Sequence, residues 1–378
     1  MSISLTEDKK SSNFPYELTE LNGIIDILDN IEKTDDNGVV QIYSYKHCNS
    51  TSPDVLKKCR GLVFQGEKRL FKSIGFTPEY NETDSTFINS INMEDVTFYR
   101  SEEGTLIRVF YTSGRWYVST NRKLDAFKSR WGTSLSFGEI FEKALLNNNP
   151  SFSSISSLTD NLNQENVYLF LVRNISENRL VSRAPEKETV FHVGTLLGGT
   201  IFRDDVSIGI TKQSALLMNN ISEVIEYVTN VDPLDHQGVI GFYKDGTQFK
   251  IVNSKYQLYS NVRGNEASIL FRYLQIRTNP TYVQMLGELY PEKILEFGNY
   301  ENIIFKIAKS VHFSYMERFI NKKEVVVPKE EYRIIRECHG WHIIDRQNHK
   351  VTLNVVLSIM SHPRFASTLN TIIKRTVL

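Results

Sequence analysis

The sequence predicts an α+β protein: a mostly antiparallel, β-rich domain to about residue 262, then an all-helical domain. Three observations carry this. Short β-branched and aromatic runs separated by turn residues fill residues 37–125 and resume at 167. The apolar period turns helical from about residue 266 and stays so to the end. Between strand-like runs stand "TSGRW" (112–116) and "YKDGT" around Asp245-Gly246, both hairpin-turn chemistry.

Taken in order, residues 1–36 read as a polar start followed by one short amphipathic helix in "LTELNGIIDILDNIEK". Strands are expected at "VVQIYSY", "GLVF", "RLFKSIGF", "VTFYR", "TLIRVFYT" and "RWYVST". A helix is expected over 135–147, with Leu135, Ile140, Phe141, Leu145 and Leu146 on its apolar side. Residues 147–157 read as a loop or insertion. Strands follow at "NVYLFLV", "RLVSRA" and "TVFHVGTLL", a helix near "ISEVIEYVTN", then the hairpin "QGVIGFYKDGTQFKIVN". Four later segments read as helices, punctuated by Pro280, Pro291, Pro328 and Pro363. The domain boundaries expected are 1–36, 37–262 and 263–378.

Composition narrows the class. The 378 residues are 40% hydrophobic and 23% charged, ordinary for a globular protein with a sizeable core. Lysine plus arginine balances aspartate plus glutamate, 44 against 44, so any basic surface must be local. No apolar run reaches membrane-spanning length, and the polar start lacks a signal core; no membrane contact and a cytoplasmic location are expected. Three cysteines, Cys48, Cys59 and Cys338, suit free thiols in a reducing compartment. The abundance of Asn, Ile, Lys, Tyr and Phe suggests an AT-rich genome.

Four stretches, and the spacing between them, then fall in a suggestive order. These are "YSYKHCNSTSPDVLKKCRGLVF", "FYRSEEGTLIRVFYTSGRWYVST", "VYLFLVRNISENRLV", "DHQGVIGFYKDGTQFKIVNSKY" and the spacing that joins them over 37–262. Together they resemble the RNA ligase family of T-even bacteriophage, the tRNA-repair type, within the covalent nucleotidyltransferases. The resemblance implies an ATP-grasp-like ligase fold for the β-rich domain. It also implies a chemistry in which a lysine amine takes AMP from ATP as a phosphoramidate, carboxylates hold the ribose and a divalent metal, and late lysines neutralise phosphate. With the composition, it points to a large DNA virus.

The motifs depart from that pattern where the chemistry sits. The nucleophile motif reads Ser101-Glu102-Glu103-Gly104-Thr105, with serine in the lysine's place. Against the resemblance, glutamates are replaced by Phe170 and Gln237, the second late lysine by Val252, and an upstream lysine by Pro78. The remnants expected to line a nucleotide pocket are Arg60, Glu103, Gly104, Thr105, Arg179, Gln237 and Lys250. The expected function is therefore an RNA-ligase-like protein that no longer adenylylates itself, with no catalytic residue and no cofactor, acting as a nucleic-acid-binding, structural or accessory protein. The alternative is an active ATP- and magnesium-dependent ligase using another nucleophile, such as Lys123. A module with no nucleotide pocket is the third reading.

Nucleic-acid contact is expected at Arg122, Lys123, Lys128, Arg130 and Trp131, basic residues beside an aromatic. RNA or single-stranded nucleic acid and viral proteins are the expected partners. Lys306, Lys309, Arg318, Lys322 and Lys323 add a second basic stretch, for which solvated helix faces are the competing reading. "CHGWH" (338–342) and His349 contain zinc-ligand types but no paired Cys-x-x-Cys, so a packed helix–turn is expected and no metal. Gly198-Gly199 reads as a turn, since no Gly-Lys-Ser/Thr follows.

Overall fold

The computed structural model describes residues 14–21, 23–175, 179–198, 200–202 and 207–377. It divides into two compact units, Met1–Gln257 and Leu258–Leu378. The boundary falls inside the helix Ser254–Arg263, five residues before the expected one. The α+β reading holds: three sheets of antiparallel character in the first unit, helices alone in the second.

The first sheet is a meander of β1 (Ile31–Asp36), β2 (Val40–Tyr45), β3 (Leu62–Gln65) and β4 (Lys68–Phe71). The helix expected before it does not form as one piece. A short turn of helix at Tyr16–Thr19 and a 3-10 helix at Ile25–Asn30 lead directly into β1. Leu18, Ile24, Leu28 and Ile31 pack with Tyr43, Leu56, Cys59 and Phe64, so the described part of 1–36 belongs to the β-rich unit. Residues 1–13 of that polar start lie outside the described residues.

The second sheet has the order β11 (Thr200–Phe202), β10 (Thr189–Leu197), β9 (Val167–Arg173), β7 (Thr105–Thr112), β8 (Arg115–Ser119). Ser113 and Gly114, at φ +51° and +77°, make the tight turn from β7 to β8. One face of this sheet is covered by the helix Phe137–Asn148, capped reciprocally by Ser136 and Glu139. Leu145 is buried on that helix, but Leu146 faces outward at 41% exposure. The expected loop at 147–157 contains a short helix, Ile155–Thr159.

The third sheet runs β5 (Glu79–Asn81), β13 (Gln248–Val252), β12 (Gly238–Tyr243), β6 (Val96–Arg100), with β5 parallel to β13. Its hairpin turns at Asp245-Gly246 as expected, Gly246 having φ +81°. The face bearing Phe98, Val239, Phe249 and Ile251 is buried beneath the helix Ile221–Asn230 and its neighbours. By strand alternation the opposite face carries Tyr99, Ile240, Lys250 and Val252. The expected strand "RLVSRA" is absent: residues 179–184 are irregular backbone.

The second unit is built from helices Ile269–Ile276, Pro280–Leu289, Ile294–Tyr315, Lys329–Ile344, Leu353–Ser361 and Ala366–Val377. Pro280 opens a helix, and Pro363 separates the last two, since proline fits a first turn but not an interior. Ile304, Ala308, Ile334, Ile335, Val356 and Ile372 are buried within it.

Candidate functional site

The chain leaves the third sheet at Arg100 and enters the second at Thr105, and residues 101–104 are the crossing between them. Ser101 N–H donates to the Gly238 carbonyl at 2.9 Å, and Gln237 N–H donates to the Ser101 carbonyl at 3.0 Å. The serine motif and the "HQGV" motif are thus one continuous ladder. Both of its glycines are sterically required. A Cβ on Gly238 would lie 2.3 Å from the Ile251 carbonyl oxygen, and φ there is +138°. A Cβ on Gly104 would lie 2.7 Å from the Val172 oxygen and 2.9 Å from Leu171 Cδ1.

Four buried side chains form a directed chain of hydrogen bonds. Ser101 Oγ donates to Gln237 Oε1 at 2.9 Å. Gln237 Nε2 donates to the Tyr256 hydroxyl at 2.9 Å. Tyr256 in turn donates to Glu103 Oε1 at 2.6 Å. Glu103 also accepts from the backbone N–H groups of Leu180 (3.3 Å), Val181 (2.8 Å) and Ser182 (2.8 Å). Burial, and then the neighbouring Glu103 charge, push the Tyr256 phenol far above its ordinary value, so it stays a donor. Tyr256 is positioned by Asn253, whose Oδ1 accepts from its N–H at 3.0 Å and whose Nδ2 donates to the Val228 carbonyl at 2.9 Å.

Chemically, this arrangement is closed. A serine needs an adjacent base before it can attack. Here the Ser101 proton is directed to an amide oxygen, which is no base, and the residue is 2% exposed. A divalent metal wants several free oxygens, but both Glu103 oxygens are already taken by four donors, and Gln237 is neutral. The resident groups therefore do not fit the metal that the resemblance implies. Among the described residues no cluster of three or more His, Cys, Asp or Glu has metal-binding geometry.

The crossing is braced from outside by charge. Glu102, with its side chain 6% exposed, lies 2.9 Å from Arg173 and 3.2 Å from Arg100. Arg100 also pairs with Asp235 at 3.0 Å, Asp235 with His236 Nδ1 at 3.0 Å, and His236 Nε2 with the Tyr227 hydroxyl at 3.0 Å. Burial pushes the His236 pKa down, with Arg100 adding to it, against the pull of Asp235.

The other expected pocket residues are placed as follows. Lys250 is on the face of the third sheet away from its core, and its Nζ pairs with Glu79 at 2.8 Å. Arg60 is half-buried, with Nη1 3.4 Å from the Gly75 carbonyl oxygen. Thr105 opens β7 opposite Val172. Arg179 is half-buried and directly precedes the three N–H groups that hold Glu103. Asn178, just before it, lies outside the described residues, as does Gly199 beside the left-handed Gly198.

Phe170, which stands where the resemblance has a glutamate, is a core residue: it is fully buried on the helix-covered side of the second sheet, 5.1 Å from Phe141 and 5.5 Å from His192 between ring centroids. Side chains alternate along a strand, so a one-residue change of alignment reverses the face. Leu171, not Phe170, lies beneath the Gly104 turn.

Sequence reading missed Tyr256, Glu79 and Arg108. Arg108 is fully buried, and its guanidinium donates to the carbonyls of Gly61 and Thr120 and to Ser119 Oγ. Burial, with Arg60 nearby, pushes its pKa down to about 9. Its place in the alternation of β7 ("LIRVF") was the one available signal, a charge where an inward residue belongs.

Three of the five residues of the expected nucleic-acid patch are paired with carboxylates. Arg122 bonds Glu32, Lys123 lies 3.7 Å from Asp35, and Lys128 lies 3.5 Å from Asp125. Arg130 is exposed, and Trp131 beside it in sequence is half-buried. In the second unit Cys338 is buried, His339 stacks on Phe319 at 4.1 Å, and His349 stacks on Trp341 at 4.1 Å, the packed arrangement expected for "CHGWH".

No protein-family model matches the chain. It is 28% identical over 343 residues to the immediate-early protein ICP-46 homolog of Invertebrate iridescent virus 6, covering 80% of this chain and 73% of the relative. To the homolog of the same name in Invertebrate iridescent virus 3 it is 28% identical over 291 residues, covering 74% and 63%. To the immediate-early protein ICP-46 of Frog virus 3 it is 24% identical over 242 residues, covering 57% and 58%. Similar solved structures include a putative ATP-dependent DNA ligase from Aquifex aeolicus (TM-score 0.42, 12% identity, 85% and 87% covered). An archaeal ATP-dependent RNA ligase (TM-score 0.43, 11% identity, 82% and 83% covered) is another.

Proposed function

We propose that this chain is a viral, ligase-like protein that does not adenylylate itself and acts by binding nucleic acid as an accessory component. The observation that carries the loss of chemistry is the closed chain Ser101–Gln237–Tyr256–Glu103. Every group at the nucleophile and carboxylate positions is committed to a protein partner. No amine stands at the head of the turn, and the nearest lysine of the late motif, Lys250, is neutralised by Glu79. The viral reading is supported by the relatives from iridescent viruses and Frog virus 3.

The test is incubation of the full chain with α-labelled ATP and magnesium. No protein-bound label is expected. A labelled band stable to base and released by acid would mark a phosphoramidate and establish the alternative, an active ligase with a nucleophile such as Lys123.

A further inference from the structure

We propose that the groove between the helices Lys329–Ile344 and Ala366–Val377 in the second unit binds a single nucleic-acid strand, phosphates on its cationic wall and a base against Trp341. This rests on the reading that the chain acts by binding nucleic acid, and it names the site.

The groove has a volume of about 1050 Å³. One wall is a row of cations, Lys329, Arg333 and Arg336, spaced i, i+4 and i+7 so that they share a helix face. That spacing covers about 10 Å of helix, the axial length of about three nucleotides in a helical strand. The facing wall presents the hydroxyls of Ser367, Thr368 and Thr371, again on one helix face. Arg333 Nη1 lies 3.4 Å from Thr368 Oγ1, so the two walls meet at the base of the groove.

Charge separates this place from the patch expected at 119–132. Among the described residues, Lys329, Arg333 and Arg336 have no carboxylate within 4.0 Å, whereas Arg122, Lys123 and Lys128 each have one. Two carboxylates do line the groove, and both are already occupied. Glu337 pairs with Arg364 at 2.7 Å, and Glu330 pairs with Arg375 at 3.3 Å. Four lining cations against two lining carboxylates leave an excess of two positive charges in a chain that is neutral overall. Trp341 lines the same groove, its ring held parallel to His349 at 4.1 Å. Cations, hydroxyls and a rigid indole are the set that single-strand binders use, phosphate contacts for affinity and an aromatic for stacking. A folded acidic protein would need no stacking ring.

The experiment titrates the full chain with fluorescent oligo(U) and oligo(dT), reading anisotropy and tryptophan emission, against a K329Q/R333Q/R336Q variant whose far-UV circular dichroism is checked first. Binding with a log–log salt slope of about −2, as three phosphate contacts to a single strand give, is expected, with loss of at least about tenfold in affinity in the variant. Quenching present in the wild type and absent in W341F is expected with it. Oligo(U) and oligo(dT) binding alike would place recognition on phosphate and base; preference for oligo(U) would add the 2′-hydroxyl. Undiminished binding by the triple variant, or loss confined to R122Q/K123Q, would overturn the groove while leaving nucleic-acid binding intact. No binding of either strand, or equal binding of a poly-glutamate peptide, would overturn both. Labelled AMP on the protein bears on neither outcome.

Discussion

The Tyr256 hydroxyl donates to Glu103 Oε1 at 2.6 Å, and through that bond a residue following the last strand motif closes the site opened by the first. The two positions are 153 residues apart. Tyr256 is also the acceptor for Gln237, so one phenol adds a donor to a carboxylate and meets an amide N–H that would otherwise be buried without an acceptor.

Replacing Tyr256 with Phe should therefore cost more than a single exposed hydrogen bond. Glu103 would keep its three backbone donors, but Gln237 Nε2 would be left buried without an acceptor. We expect a loss of about 1–3 kcal/mol, measured as a shift of the urea midpoint. A variant as stable as the wild type would show that water replaces the phenol.

Ser101→Lys should not restore adenylylation. A lysine at a position 2% exposed would displace the Gln237 amide and crowd the Tyr256–Glu103 bond. It would find no carboxylate with free oxygens to hold a metal beside ATP. Labelled AMP on S101K would contradict this and show that the pocket opens without further change.

Gly238→Ala tests the ladder that joins the two motifs. The added Cβ would meet the Ile251 carbonyl oxygen at 2.3 Å in a backbone conformation with φ +138°. A cost of about 2 kcal/mol or more is expected, with a matching drop in thermal midpoint. Gly114→Ala, where a Cβ meets nothing within 4 Å, should cost less despite its φ of +77°.

Alkaline pH should weaken both units through their buried thiols. Burial pushes Cys59 and Cys338 up to about 12 from 9.0. The unfolded thiols lose their protons near pH 9 and the folded ones keep them to about 12. Their contribution is thus whole below pH 9 and is lost as pH rises towards 12, at up to about 1.4 kcal/mol per pH unit per thiol. The urea midpoint of C59A/C338A, followed from pH 8 upward at about unit steps, should fall less steeply than that of the wild type. Parallel curves would reject the account.

Local chemistry made much of this fold legible. The hairpins at Ser113-Gly114 and Asp245-Gly246, the capped helix Phe137–Asn148 and the proline-punctuated helices all follow from short-range rules of turn, cap and period. Where reading failed, a long-range partner decided. Residues 179–184 look like a strand but are held as irregular backbone because three of their N–H groups bond Glu103 instead of a neighbouring strand. Residues 18–33 read as one helix, yet β2 recruits 31–36 into a sheet. That Phe170 packs in the core was not fixed locally, because alternation sets which side chains share a face, not which face the core takes.

By itself the sequence determined the order of α and β segments, their turns and caps, and the absence of a lysine at the head of the 101–104 turn. Tertiary structure alone decided that Tyr256 would seal Glu103, that Arg122 and Lys123 would be neutralised, and that the carboxylates lining the groove of Lys329, Arg333 and Arg336 would pair with Arg364 and Arg375 instead. The reason is range: propensity and period act over a few residues, whereas the partner of a charge or hydrogen bond is chosen by which distant segments the folded backbone brings within about 3 Å.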